Sequence, residues 1–110
     1  ELLAACVGAR LASHVMQELG SNLETWFWSD STTVLAWIKR DITWGVFVMN
    51  RVNEIRSLTD MNRWYHIPGT SNPADLLSRG CTPRQLMQSR WWEGPQWLKM
   101  PPNEWPNSNF

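Results

Sequence analysis

Three carboxylates stand where an apolar core does not call for them: Glu1 at the head of an apolar run, Asp30 after a short aromatic run, and Asp75 within Asn72-Pro73-Ala74-Asp75. Oxygen-rich side chains of this kind hold hard divalent cations such as Mg²⁺. In open α/β sheets ligands bind beyond the carboxyl ends of the strands, so an acid at Asp30, just past a strand, lies where a site is expected. Each acid also has a plainer role open to it. Asp30 can cap a helix, Asp75 can complement a helix dipole, and Glu1 can be a solvated end residue.

The elements that would position these acids follow from the pattern of apolar residues. Leu3, Val7, Leu11, Val15 and Leu19 recur every four residues, with Cys6, Ala12 and Met16 beside them, which predicts an amphipathic helix over residues 1 to 19, stopped by Gly20. Thr25-Trp26-Phe27-Trp28 is short, aromatic and β-prone after a Gly-Ser-Asn turn, and predicts a buried strand that delivers Asp30 at its end. Ser31 to Lys39, with Asp30 or Ser31 as cap, predicts a short helix, and after a break around Asp41 to Gly45 the spacing of Val48, Val52, Ile55 and Leu58 predicts another over Val46 to Leu58. Arg63-Trp64-Tyr65-His66-Ile67 reads as a second strand, closed by Pro68-Gly69. Asn72 as cap and Pro73 at the first position predict a helix with Asp75 in its first turn, ended by Gly80, and Thr82-Pro83-Arg84-Gln85 has the pattern of a capping box.

The order helix-strand-helix-helix-strand-helix fits two parallel strands joined by a helical crossover. A parallel pair wants cover on both faces and neighbours on both sides, so further strands are expected upstream of Glu1. The start at Glu1, directly into an apolar-periodic run, points the same way, to a fragment of something longer. Residues 1–80 are expected to form a partial α/β domain. Residues 81–110, with a short helix and then prolines and tryptophans without a period, are expected to form an extension or linker.

Ten basic residues against ten acidic ones leave no net charge, which argues against the dense basic face of tight, independent nucleic-acid binders. Two cysteines, Cys6 and Cys81, make neither a disulfide framework nor a zinc-type spacing, so a reducing, intracellular setting is the expectation. The sequence has no apolar run of about 18 residues and no signal-peptide layout, so no membrane partner is expected. Nine tryptophans, among them Trp26, Trp28, Trp91, Trp92, Trp97 and Trp105, suit packing; a base-stacking platform would need them exposed beside basic groups.

Around the three acids the wording is specific. Glu1-Leu2-Leu3-Ala4-Ala5 is similar to the glutamate-bearing helix of ribonuclease H, Trp28-Ser29-Asp30-Ser31 resembles its aspartate-bearing fourth strand, and Asn72-Pro73-Ala74-Asp75-Leu76-Leu77-Ser78-Arg79 resembles its final active-site helix. The longer phrases from Trp28 to Ile38 and from His66 to Leu76, and the tail Trp91-Trp92-Glu93-Gly94-Pro95-Gln96-Trp97-Leu98, look like the BEL/Pao branch of long-terminal-repeat retrotransposons. The resemblance covers nearly the whole chain. It implies a partial ribonuclease H-like α/β fold whose first strands lie upstream. It also implies hydrolysis of the RNA strand of RNA/DNA hybrids with two Mg²⁺ ions, or Mn²⁺ in their place, as part of a Pol polyprotein beside reverse transcriptase and integrase regions.

By the same resemblance Glu1 and Asp30 would help hold one ion and Asp75 the other, and all three would be catalytic. Ions about 3.5 to 4 Å apart activate the attacking water and steady the leaving 3′ oxygen. The family's fourth acid, a first-strand aspartate shared by both ions, has no counterpart in this sequence, so these 110 residues alone are expected to be inactive. Cellular members also carry a histidine in the loop before the last helix, where this sequence has Thr70 and Ser71; His66 falls earlier, on the strand, and reads as structural. Arg79, Arg84 and Arg90 either meet phosphates or form a solvated face. The rival implication is a catalytically dead or host-recruited element fragment, with at most a nucleic-acid-binding or structural role. An integrase or transposase core would need a glutamate on the last helix, where this chain has Asp75.

Overall fold

A computed structural model describes residues 1–20, 23–40 and 44–106. Ser21 and Asn22 of the expected turn, and the start of the expected break at Asp41, lie outside the described residues. The chain is a mixed α/β protein, mostly helical, with one short parallel two-stranded sheet. It divides into two compact units, Glu1–His66 and Ile67–Asn109.

The first unit contains helix α1 (Leu2–Leu19), strand β1 (Phe27–Ser29), helices α2 (Thr32–Lys39) and α3 (Val46–Leu58), and strand β2 (Trp64–His66). β1 and β2 run parallel in the register Phe27↔Trp64, Trp28↔Tyr65 and Ser29↔His66, so the connection between them is the helical crossover that the element order predicts. Phe27 stacks on Trp64 with ring centroids 4.6 Å apart, while Trp28 meets Tyr65 one residue on, as the alternation of side chains along a strand requires. β1 begins two residues later than the aromatic run suggests. Trp26 has left the ladder and lies against Arg63, whose guanidinium sits 4.8 Å from its ring centroid.

The core of this unit gathers Leu2, Cys6 and Ala9 of α1, Val34, Leu35 and Ile38 of α2, Val52 and Ile55 of α3, and Trp64. The stripe Leu3, Val7, Leu11, Val15 and Leu19 faces away from it and is exposed. The small side chains of Cys6 and Ala9, one helical step round, allow α1 to sit close to α3, and Arg10 bonds Glu54 of α3 beside them. Arg56 of α3 fastens the other seam: its Nε donates to the Ile38 carbonyl and its Nη2 to the Arg40 carbonyl, each at 2.8 Å, supplying a cation to the C-terminal end of α2.

The second unit contains a 3₁₀ turn at Gly69–Ser71, helices α4 (Asp75–Arg79) and α5 (Pro83–Gln88), and two further 3₁₀ turns at Gln96–Lys99 and Pro102–Glu104. Gly80 ends α4 at φ 87°, a left-handed conformation open to glycine at little cost. Thr82 and Gln85 form the reciprocal capping box at the head of α5. α4 starts at Asp75 instead of Pro73. Residues 72–76 are bonded in the tighter i→i+3 manner, Asp75 to the Asn72 carbonyl at 3.1 Å and Leu76 to that of Pro73 at 3.3 Å. The Asn72 side chain accordingly accepts from Ala74 N at 3.1 Å, as an Asx turn ahead of the helix. No helix among the described residues is long and apolar enough to cross a membrane.

Candidate active site

Asp30 follows β1 directly, at the carboxyl end of a strand in a parallel pair. The cap of α2 is Ser31, whose Oγ accepts from Val34 N at 3.2 Å, and Ser29 Oγ accepts from Ser31 N at 3.1 Å. These two serines turn the chain from strand into helix, so the capping role open to Asp30 in the sequence belongs to its neighbour. Asp30 itself is half-buried. His66, paired with Ser29, ends the adjoining strand, which places an imidazole-bearing residue at the same end of the sheet. Sequence reasoning assigned His66 to the strand but had no register with which to set it beside the residue before Asp30.

Glu1 is the exposed N-cap residue of α1, with its carbonyl accepting from Ala5 N at 3.0 Å. Its side chain does not cap the helix. It lines a recess of about 470 Å³ with Leu2, Leu3, Thr33, Trp37, Phe47 and Val48, so the head of α1 opens toward the first turn of α2, three residues beyond Asp30. Asp75 belongs to the second unit and is the first residue of α4. Its carboxylate holds Arg79 Nε at 2.7 Å across one helical turn, and is the more buried of the two partners.

Glu1 and Asp30 therefore sit at the heads of α1 and α2 within one unit, and Asp75 at the head of α4 in the other. Among the described residues no three His, Cys, Asp or Glu side chains are gathered closely enough to form a cation site by themselves. No family model, curated protein or solved structure matches this chain.

Among the described residues the strongest electrostatic perturbation lies elsewhere, between α1 and α3. Arg10 grips the Glu54 carboxylate with Nε and, at 2.8 Å, with Nη2, in a two-pronged pairing that lowers the Glu54 pKa to about 2 and raises that of Arg10. Cys6 lies next to this pair; burial first, and then its hydrogen bond with Glu54, push its thiol upward. A thiol so placed is a packed side chain and not a nucleophile. The pair bridges α1 and α3 beside the buried cluster of Cys6, Ala9, Val52 and Ile55.

Proposed function

We propose that this chain is the C-terminal part of a ribonuclease H domain of a BEL/Pao-type retrotransposon polyprotein, acting on the RNA strand of RNA/DNA hybrids during reverse transcription. One observation carries the reading: Asp30 leaves the carboxyl end of a parallel strand while Ser31 takes over the cap of the following helix. Helix capping thus does not account for its carboxylate. The motif wording around Glu1, Asp30 and Asp75 supplies the family.

In this reading Glu1 and Asp30 would help hold one Mg²⁺ ion and Asp75 the other, each offering the carboxylate oxygens that suit a hard cation. Bound there, paired ions supply an activated water and a stabilised leaving oxygen. The protein's own part is to place the residues: the serine turn puts Asp30 between β1 and α2, and the Arg10–Glu54 pair bridges the helix that carries Glu1 to α3. The bridging first-strand aspartate would come from upstream.

The test is cleavage of a labelled RNA/DNA hybrid in Mg²⁺ by a chain extended upstream through the first strands, beside its Asp30→Asn variant. Hybrid-specific cleavage abolished by Asp30→Asn is the expected result, with none from the 110 residues alone. A second reading, a catalytically dead fragment, draws on the Arg79 guanidinium that already neutralises Asp75 at 2.7 Å. It predicts no cleavage by a folded extended chain, and none restored by Arg79→Ala.

A further inference from the structure

The second unit carries an open recess of about 490 Å³ on its surface, between the Gly69–Pro73 loop, α4 and the returning tail. That volume lies within the roughly 300–1,000 Å³ span of small-ligand sites. The residues lining it include Arg79, Arg90 and Trp97.

Each has partners within the unit, the two arginines at the solvent-exposed surface. Trp97 Nε1 donates to the Ser71 carbonyl at 3.3 Å, and its ring meets Trp105 edge-on at 6.1 Å, so the tail is tied back to the loop before α4. Arg90 is oriented by Glu93 through Nη1 at 2.9 Å and by Gln96 through Nη2 at 2.7 Å. Asp75 takes Nε of Arg79, and the Nη groups of that arginine are the donors a phosphate would engage. Two arginines beside a tryptophan and a proline-bearing rim match an anion joined to a flat ring.

We propose that this recess binds one nucleotide unit of a single nucleic-acid strand, its phosphate between Arg79 and Arg90 and its base against Trp97. This rests on the ribonuclease H reading for its biological setting, in which the Trp/Pro-rich extension would hold the strand leading to or from Asp75. Arg84, also basic and close in sequence, is not part of the recess wall.

The experiment is fluorescence anisotropy of a labelled oligouridylate with the full chain in EDTA, which separates binding from any cleavage, with uridine monophosphate and inorganic phosphate as competitors. Binding should weaken in Arg79→Gln and in Arg90→Gln, and the double variant should reduce the slope of log affinity against log salt by about 0.7, the share of the one phosphate they hold. Trp97→Leu should lose about tenfold and Trp97→Phe, which keeps a ring face, far less. Circular dichroism checks that each variant folds. Affinities unchanged in both arginine variants, with an unchanged salt slope in the double variant, would overturn the proposal, and so would phosphate competing as well as the nucleotide, which would leave an anion site only. An extended chain that cleaves hybrid while these variants bind normally refutes the recess alone; nucleotide binding through the recess without cleavage refutes the ribonuclease H reading alone.

Discussion

Between Leu2 and Trp64 the first unit buries leucine, isoleucine and valine from three helices around one centre, whereas α4, α5 and the two later 3₁₀ turns bury no residue fully among the described residues. The second unit uses its large side chains differently. Trp92, Trp97 and Trp105 each donate an indole N–H to a main-chain carbonyl, of Leu86, Ser71 and Met100 respectively. One region is held mainly by exclusion of water; the other encloses Ile67 fully and relies otherwise on caps and directed hydrogen bonds. The first kind of cohesion grows with buried area, the second with the number of bonds completed, and a bond among exposed groups adds little because water competes for it.

The sharpest way to break this contrast is a cavity in the first unit. Ile38→Ala or Ile55→Ala, each removing a side chain with no exposed surface, should cost about 2–5 kcal/mol and unfold Glu1–His66 at moderate temperature, as read by circular dichroism. No truncation among the exposed apolar residues of the second unit, such as Met87→Ala, should approach that. Next in size is the cap of α5: Thr82→Ala should cost about 0.5–2 kcal/mol, visible as faster amide exchange in Pro83–Gln88 and unchanged exchange in α3.

The smallest effect concerns the Arg10–Glu54 clasp, which lies where solvent reaches it. Glu54 has its folded pKa lowered from 4.5 to about 2, so its stabilising contribution is complete above about pH 4.5 and is lost as pH falls toward 2. Acid titration of the first unit should show this loss, and Glu54→Gln should remove that part of the pH dependence. An unchanged acid profile in Glu54→Gln would show that the clasp does not couple α1 to α3.

Regular features with a local cause were legible in the sequence. Helix α3 matches the spacing of Val48, Val52, Ile55 and Leu58 from end to end, and the stops at Gly20 and Gly80 and the capping box at Thr82 depend on residues within one turn of each other. What depended on partners was not. The inward face of α1 is set by how closely α3 approaches, so the small residues Cys6 and Ala9 face inward and the larger stripe outward. β1 starts after Trp26, which lies against Arg63, a residue distant in sequence. At the candidate site the end-of-strand place of Asp30 could be read directly, while the choice between Asp30 and Ser31 as cap, both of good capping type, is settled only by the folded turn, in which Ser31 Oγ accepts from Val34 N.

The two thiols fall one to each unit, Cys6 wholly enclosed with its ionisation suppressed and Cys81 partly open. The chain thus carries a pair of chemical clocks. Under an alkylating reagent, Cys81 runs at a rate set by its own accessibility, while Cys6 starts only when the first unit opens, so a single mass-spectrometric time course separates the breathing of one region from that of the other.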